Sequence, residues 1–130
     1  ARMLTAGMVF AVLAAALHVL IFYMESIAWE GALARKTFGG TPEEVRPHAF
    51  YAFNQGFYNL FLALQAIIGV VLAALGYAAI GAALILAGTG AMLAAAVVLA
   101  LASAPHRSAA AKQGTFPLLA VVCTLAALLG

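Results

Sequence analysis

The sequence predicts an all-α integral membrane protein, a four-helix transmembrane bundle in antiparallel, up-down topology. Two observations lead to this fold class. Of the 130 residues, 67% are hydrophobic and only 8% are charged, and the mean hydropathy is +1.12. A soluble domain of this size cannot bury so much apolar surface, because small domains have a high surface-to-volume ratio. The apolar residues also form four segments, each of which reaches the roughly 20 residues that a helix needs to cross a bilayer.

The four segments are predicted to be spans of a single transmembrane domain, residues 1–130. They cover about residues 3–25, 49–75, 78–102 and 109–129. The first segment follows Arg2 and runs unbroken to Met24. That run is too long for the apolar part of a signal peptide, so we expect a retained helix.

The connection after the first span carries clear helix-stop and helix-start signals. The first helix is expected to end by Gly39 and Gly40, after continuing as far as Arg35, because glycine favours helix ends. Residues 41–44 read Thr-Pro-Glu-Glu, which predicts a new helix with a capping box and proline at its first position. Pro47 should then bend the chain, or separate a surface turn from the second span.

The remaining connections are short. Gly76 and Tyr77 are all that separates the second span from the third, which forces a hairpin, and residues 103–107 form a short basic turn.

The third span is rich in alanine and glycine, and Gly81 and Gly88 lie seven residues apart on one face. Small residues let helices approach closely in lipid. This pattern favours packing within the bundle over a seam between two copies.

The distribution of cations predicts the orientation in the cell (inner) membrane. Five of the six Lys and Arg residues lie in or beside the first and third connections, and the sixth is Arg2. The five are Arg35, Lys36, Arg46, Arg107 and Lys112. Since cytoplasmic loops carry the excess of positive charge, loops 1 and 3 are expected to be cytoplasmic and both termini outside.

Two classes of chemistry are excluded by composition. The net charge of +2 comes from scattered loop cations, and no Lys/Arg run with interleaved aromatic residues is present, so no nucleic-acid partner is expected. Cys123 is the single cysteine, which excludes an internal disulfide and any site with several thiolate ligands. The partner that the sequence does imply is the lipid bilayer.

Polar side chains form a stripe on the first span. His18, Phe22, Glu25 and Trp29 are spaced by four, three and four residues, which places them on one face of a continuous helix. Glu25 would lie about 10 Å nearer the cytoplasm than His18, at 1.5 Å per residue.

A second polar stripe lies on the second span. Asn54, Gln55 and Tyr58 share a face, Asn59 lies at its edge, and Gln113 enters the fourth span at the same cytoplasmic level. Carboxamides are costly in hydrocarbon unless they find partners, so two stripes at one depth predict a shared polar pocket. The alternative is that they are interhelical hydrogen-bonding groups and line no cavity. Gly56 falls off the stripe and is expected to allow close helix packing.

The predicted roles follow from these side chains. The expected ligand-binding residues are Trp29, Asn54, Gln55, Tyr58, Asn59 and Gln113. Glu25 and His18 are the candidates for acid–base catalysis, although no reaction is defined and enzymatic activity stays open. No metal site is expected, because His48 lies beside Pro47 at the membrane surface and only His18 is deep. The sequence defines no cofactor.

Several motifs are shared with one known family. They are Glu25 with Trp29, Phe38-Gly39 before Thr41-Pro42-Glu43, Asn54-Gln55-Gly56-Phe57-Tyr58-Asn59 with Phe61-Leu62-Ala63, and Gln113-Gly114 with Pro117. On these residues the sequence resembles a family of small bacterial four-helix membrane proteins that is catalogued as a domain of unknown function, some of whose members are labelled epimerases. The resemblance covers nearly the whole chain. It implies the four-helix architecture and a shared polar site, and no settled activity.

Three functions are compatible with the sequence. The leading expectation is that the pocket binds a small or amphipathic ligand from the membrane. A proton-coupled exporter resembling the small multidrug transporters is the second, with Glu25 as its carboxylate, although the charge bias disfavours a dual-topology dimer. The third is an accessory subunit of a larger membrane complex. A homodimer or a membrane-complex partner therefore stays open. An epimerase would need an acid and a base on opposite faces of a substrate, whereas Glu25 and His18 share one stripe.

Overall fold

The structure, a computed structural model, describes residues 2–130 and is helical almost throughout. Its helices are α1 (Arg2–Phe22), α2 (Ala32–Phe38), α3 (Pro42–Val45), α4 (Ala49–Ala74), α5 (Ala78–Ala102) and α6 (Arg107–Leu129). A π-helical turn, Tyr23–Ile27, follows α1, and single 3-10 turns, Arg46–His48 and Ala104–His106, precede α4 and α6. Residues 2–130 contain no β-strand, so the all-α prediction is confirmed.

Four helical segments are long and apolar enough to cross a membrane. With their flanking turns they are Arg2–Ile27, Pro42–Ala74, Ala78–Ala102 and Ala104–Leu129. Each corresponds to one predicted span, which supports a multi-pass integral membrane protein. The antiparallel order of the spans and their orientation in the membrane stay predictions, as does the single domain over residues 1–130.

The end of the first span differs from the expectation. α1 stops at Phe22, and the next turn is wider than an α-helical turn, because the Ala28 N–H donates to the Tyr23 carbonyl five residues back at 2.9 Å. At Ala28 the backbone leaves helical geometry, with φ −126° and ψ 47°. The predicted continuous helix to Arg35 is therefore wrong, since a new helix, α2, begins only at Ala32.

The turn signals of the first connection are confirmed. Gly39 and Gly40 end α2 with φ of 85° and 79°, in the region that favours glycine. Thr41 then caps α3: its hydroxyl accepts from the Glu44 N–H at 3.2 Å, and the Glu44 carboxylate accepts from the Thr41 N–H at 3.0 Å. These reciprocal bonds satisfy donors that a short helix would otherwise leave free.

Contacts divide the chain into two compact units. The polar unit is Leu17–Phe61, and the apolar unit consists of the chain up to Ala16 together with Leu62–Gly130. All four acidic residues of the sequence lie between positions 25 and 44, within the polar unit.

The apolar unit is held together by small residues. A Cβ added to Gly81 would lie 2.6 Å from both the Ala73 nitrogen and the Gly69 carbonyl oxygen, and one added to Gly88 would lie 3.1 Å from the Ala66 nitrogen. α4 and α5 therefore pack with their backbones almost in contact, as the glycine spacing predicted. Ile85 is fully buried beside this contact.

Candidate functional site

The π-helical turn brings two polar side chains of the first span against α4. The Ser26 hydroxyl donates to the Phe53 carbonyl at 2.7 Å. At Gly56 an added Cβ would collide with the Ser26 hydroxyl and lie 3.1 Å from the Glu25 Cβ. Gly56 therefore serves close helix packing, as its position off the polar stripe predicted.

Glu25 and Asn59 are the two predicted site residues that the structure joins directly. The Asn59 amide donates to Glu25 Oε1 at 2.8 Å, and also to the Gln55 carbonyl of its own helix at 3.2 Å. Both side chains are half-buried. This bond links the end of the first span to α4, so Asn59 has the geometry of an interhelical hydrogen-bonding group.

Asn54, Gln55 and Tyr58 lie on the exposed side of α4. Tyr58 is 59% exposed, and none of the three side chains forms a hydrogen bond within the polar unit. Exposed aromatic rings surround them along the same helix, among them Tyr51 and Phe61. The predicted stripe thus exists, and its unbonded members face away from the interior of the unit.

Beside these polar side chains, aromatic rings form a cluster. The Phe57 ring lies 5.1 Å from Phe22 of α1, in an edge-to-face arrangement, and 5.0 Å from Phe53. Phe61 extends the cluster along α4, with its ring 6.2 Å from Phe57. Such arrangements stabilise packing beyond the burial of area alone.

Trp29 lies in the connection, away from the stripe to which sequence spacing assigned it. Its indole N–H donates to the Val45 carbonyl at 2.8 Å, and its ring lies 4.3 Å from the Arg35 guanidinium carbon and 5.9 Å from the Phe38 ring. Trp29 would lie on the stripe only in an unbroken α-helix, whereas the π-helical turn and the break at Ala28 change the angle at which it projects. Its observed contacts are those of a residue that fixes the connection.

Sequence reasoning did not foresee two features of this connection. Arg35 donates from Nε to the Trp29 carbonyl at 3.0 Å and from Nη1 to the Gly39 carbonyl. Arg46 and Glu30 form an exposed ion pair at 2.7 Å, and its hydrogen bond lowers the pKa of Glu30 from its usual range. Both link residues across a turn, and no local pattern encodes such partners. The cation–π contact could have been suspected because Trp29 and Arg35 are only six residues apart in the same connection.

The remaining predicted residues are dispersed. His18 is buried on α1, and Gln113 is half-buried on α6 in the apolar unit. Among residues 2–130 no three His, Cys, Asp or Glu side chains group closely enough to hold a metal ion. The ligand-binding and catalytic roles assigned to these residues stay predictions.

Fold and composition define the class: a small multi-pass membrane protein with four apolar helices. A model of a family described as a protein of unknown function, DUF1304, matches residues 12–125. The chain belongs to this family, and the resemblance seen in its motifs is confirmed. No curated protein and no solved structure matches it.

Proposed function

We propose that this protein binds a small or amphipathic ligand from the membrane at the polar end of α4. One observation carries the proposal. The side chains of Asn54, Gln55 and Tyr58 are exposed and lack hydrogen-bond partners in the polar unit, although they belong to a helical segment apolar enough to span a bilayer. A polar group taken out of water without a partner costs about 1–3 kcal/mol by mutational measures, so a bound polar group would offset that cost.

The depth of these residues indicates the kind of ligand. α4 has 26 residues, so it is about 39 Å long at 1.5 Å per residue, against a hydrocarbon core of about 30 Å. Asn54 and Gln55 lie in the second turn of α4, where headgroups meet hydrocarbon. A molecule with a polar head and an apolar body suits this position. Carboxamides both donate and accept hydrogen bonds, and the exposed rings of Tyr51 and Phe61 offer apolar contact.

Glu25 and Asn59 have a supporting role in this proposal. Their hydrogen bond holds α4 against the end of the first span and so fixes the helix turn that carries Gln55. Glu25 and His18 remain the groups that could transfer a proton if the ligand reacts. We also place the site on the cytoplasmic side of the inner membrane, on the strength of the charge bias.

The proposal is tested by identifying what the purified protein retains. The full chain is purified in mild detergent, and small molecules bound to it are measured by native mass spectrometry. The double variant Asn54→Leu/Gln55→Leu and Tyr58→Phe should each lose a species that the wild type carries. Tyr77→Phe is the matched control, because Tyr77 is 58% exposed and lies outside α4.

The folded state of each variant is checked by thermal unfolding followed by circular dichroism. Since the altered side chains form no hydrogen bonds within the polar unit, we expect unfolding temperatures close to that of the wild type. Retention of the same molecules by all variants would contradict the proposal, and so would a wild type that retains none.

A further inference from the structure

A second candidate site lies in the apolar unit, where a groove of about 260 Å³ runs along the contact between α5 and α6. Three buried small residues form its floor: Ala96 of α5, and Ala110 and Gly114 of α6. A Cβ added to Gly114 would lie 3.1 Å from the Ala96 Cβ, so the helices touch here and the depression above them comes from the missing side-chain volume. Leu93 and Leu118 border its deeper end.

The other end of the groove is charged. Arg107 lines it as the first residue of α6, at the end of a membrane-spanning segment that starts at Ala104. Arg107 Nε donates to the Ala100 carbonyl of α5 at 3.0 Å, which fixes the side chain across the end of the groove. Its two terminal nitrogens form no hydrogen bond within the apolar unit.

The apolar unit supplies no counter-charge for this guanidinium. The four acidic residues of the chain lie at positions 25–44, whereas Leu62–Gly130 contains Arg107 and Lys112 and no carboxylate side chain. Arginine binds planar anions such as phosphate and carboxylate in a bidentate manner, and basic pockets between transmembrane helices bind anionic headgroups. The Arg107 guanidinium is exposed and has no carboxylate partner within its own unit, so it is available to an anionic headgroup.

We infer that this groove binds an anionic phospholipid, with an acyl chain on the alanine and glycine floor and its phosphate on Arg107. From Arg107 to Leu118 the groove extends about 16 Å along α6 at 1.5 Å per residue, which accommodates a large part of an acyl chain. The site is separate from the polar end of α4 and does not depend on the function proposed there.

Charge and shape are tested with separate variants. Arg107→Gln removes the anion contact, and Lys112→Gln is its control, because Lys112 is an exposed cation of the same helix that does not line the groove. Ala111→Leu fills the groove from its exposed rim, and Ala94→Leu is the control on an exposed position of α5 outside it. None of these changes places a larger side chain in the buried floor.

Binding is measured on the full chain in mild detergent by native mass spectrometry, with phosphatidylglycerol, phosphatidylcholine, palmitate and inorganic phosphate as probes. We expect phosphatidylglycerol to bind more tightly than the other three probes, and tighter binding of palmitate would contradict a phospholipid in the groove. Arg107→Gln should weaken that binding about fivefold, the effect of one basic residue near anionic headgroups. Ala111→Leu should weaken it too, and both controls should match the wild type.

Several results would overturn the inference. Equal losses of lipid binding in Arg107→Gln and Lys112→Gln would mean that the lipid is attracted by the positive charge of the surface in general. Binding of phosphatidylcholine as tight as that of phosphatidylglycerol would mean that the net negative charge of the headgroup is not recognised. Unchanged binding in Ala111→Leu, or inorganic phosphate that binds as tightly as phosphatidylglycerol, would rule out a contribution of an acyl chain in the groove. If Arg107→Gln does not fold, Arg107→Lys replaces it, with a smaller loss expected because lysine cannot bind bidentately.

Discussion

Four residues at the contact between the first span and α4 have different roles. Gly56 lets the backbones approach, Ser26 bonds to a carbonyl of α4, and Glu25 accepts a hydrogen bond from Asn59. From the sequence, Gly56 was expected to allow close helix packing, and interhelical hydrogen bonding was one of the two roles expected for Asn59. The sequence could not pair Asn59 with Glu25, because two other carboxamides lie within five residues and helical angle alone does not select among them.

Gly56→Ala should destabilise the protein by roughly 1–3 kcal/mol, the usual cost of overpacking, because the new methyl group collides with Ser26. Gly90→Ala is the control. Its Cβ would meet nothing within 4 Å, so we expect no loss, and a gain of up to about 1 kcal/mol from helix propensity. The free energy of unfolding is measured in mixed micelles with a denaturing detergent. Equal effects of the two substitutions would contradict this account of Gly56.

The Glu25–Asn59 bond has a measurable coupling energy. A double-mutant cycle of Glu25→Leu and Asn59→Leu should give about 0.6 kcal/mol, the average for interhelical hydrogen bonds in membranes. Glu25→Gln should be nearly neutral, because its amide oxygen can still accept from Asn59. A coupling energy of zero, measured by unfolding in micelles, would show that the bond does not contribute to stability.

At the scale of elements, helix ends were more predictable than helix continuity. The Thr41 cap and the glycines that end α2 follow local rules, and the structure contains them. No local sequence pattern marks the π-helical turn. The contacts that stabilise it join Ser26 and Glu25 to α4, which lies far away in the sequence. Missing the π-helical turn misplaced Trp29, whose position was extrapolated along an α-helix that ends seven residues earlier, at Phe22.

Trp29 should control the order of the connection between α2 and α4. Trp29→Phe removes the hydrogen bond to the Val45 carbonyl and weakens the contact with Arg35. We expect faster trypsin cleavage at Arg35 and Lys36 in detergent, with unchanged helical content. Tyr77→Phe serves as the control. Cleavage of Trp29→Phe at the wild-type rate would contradict the anchoring role.

At the scale of the whole molecule, hydropathy located the membrane-spanning helices closely. The second and third spans were predicted at 49–75 and 78–102, against Ala49–Ala74 and Ala78–Ala102 in the structure. Long apolar runs are recognisable because lipid, rather than a folded interior, accepts them. The boundaries between the two compact units, after Ala16 and after Phe61, could not be predicted from hydropathy, since residues on both sides of each boundary are apolar.

The predicted orientation can be tested with single cysteines. In a Cys123→Ala background, Lys36→Cys and Ser108→Cys mark the first and third connections, and Tyr77→Cys marks the second. Because five of the six cations flank the first and third connections, a membrane-impermeant maleimide should label Lys36→Cys and Ser108→Cys only from the cytoplasmic side. Tyr77→Cys should be labelled only from outside. Labelling of all three from one side would refute the antiparallel arrangement.

The central claim is that the exposed carboxamides of α4 hold a ligand from the membrane. The most direct measurement is an experimental density map of the full chain in lipid nanodiscs. We predict density for a non-protein molecule with a polar atom about 2.7–3.2 Å from the Asn54 or Gln55 carboxamide. A map with no such density beside Asn54 and Gln55, or one in which their carboxamides are hydrogen-bonded to a second copy of the chain, would contradict the claim.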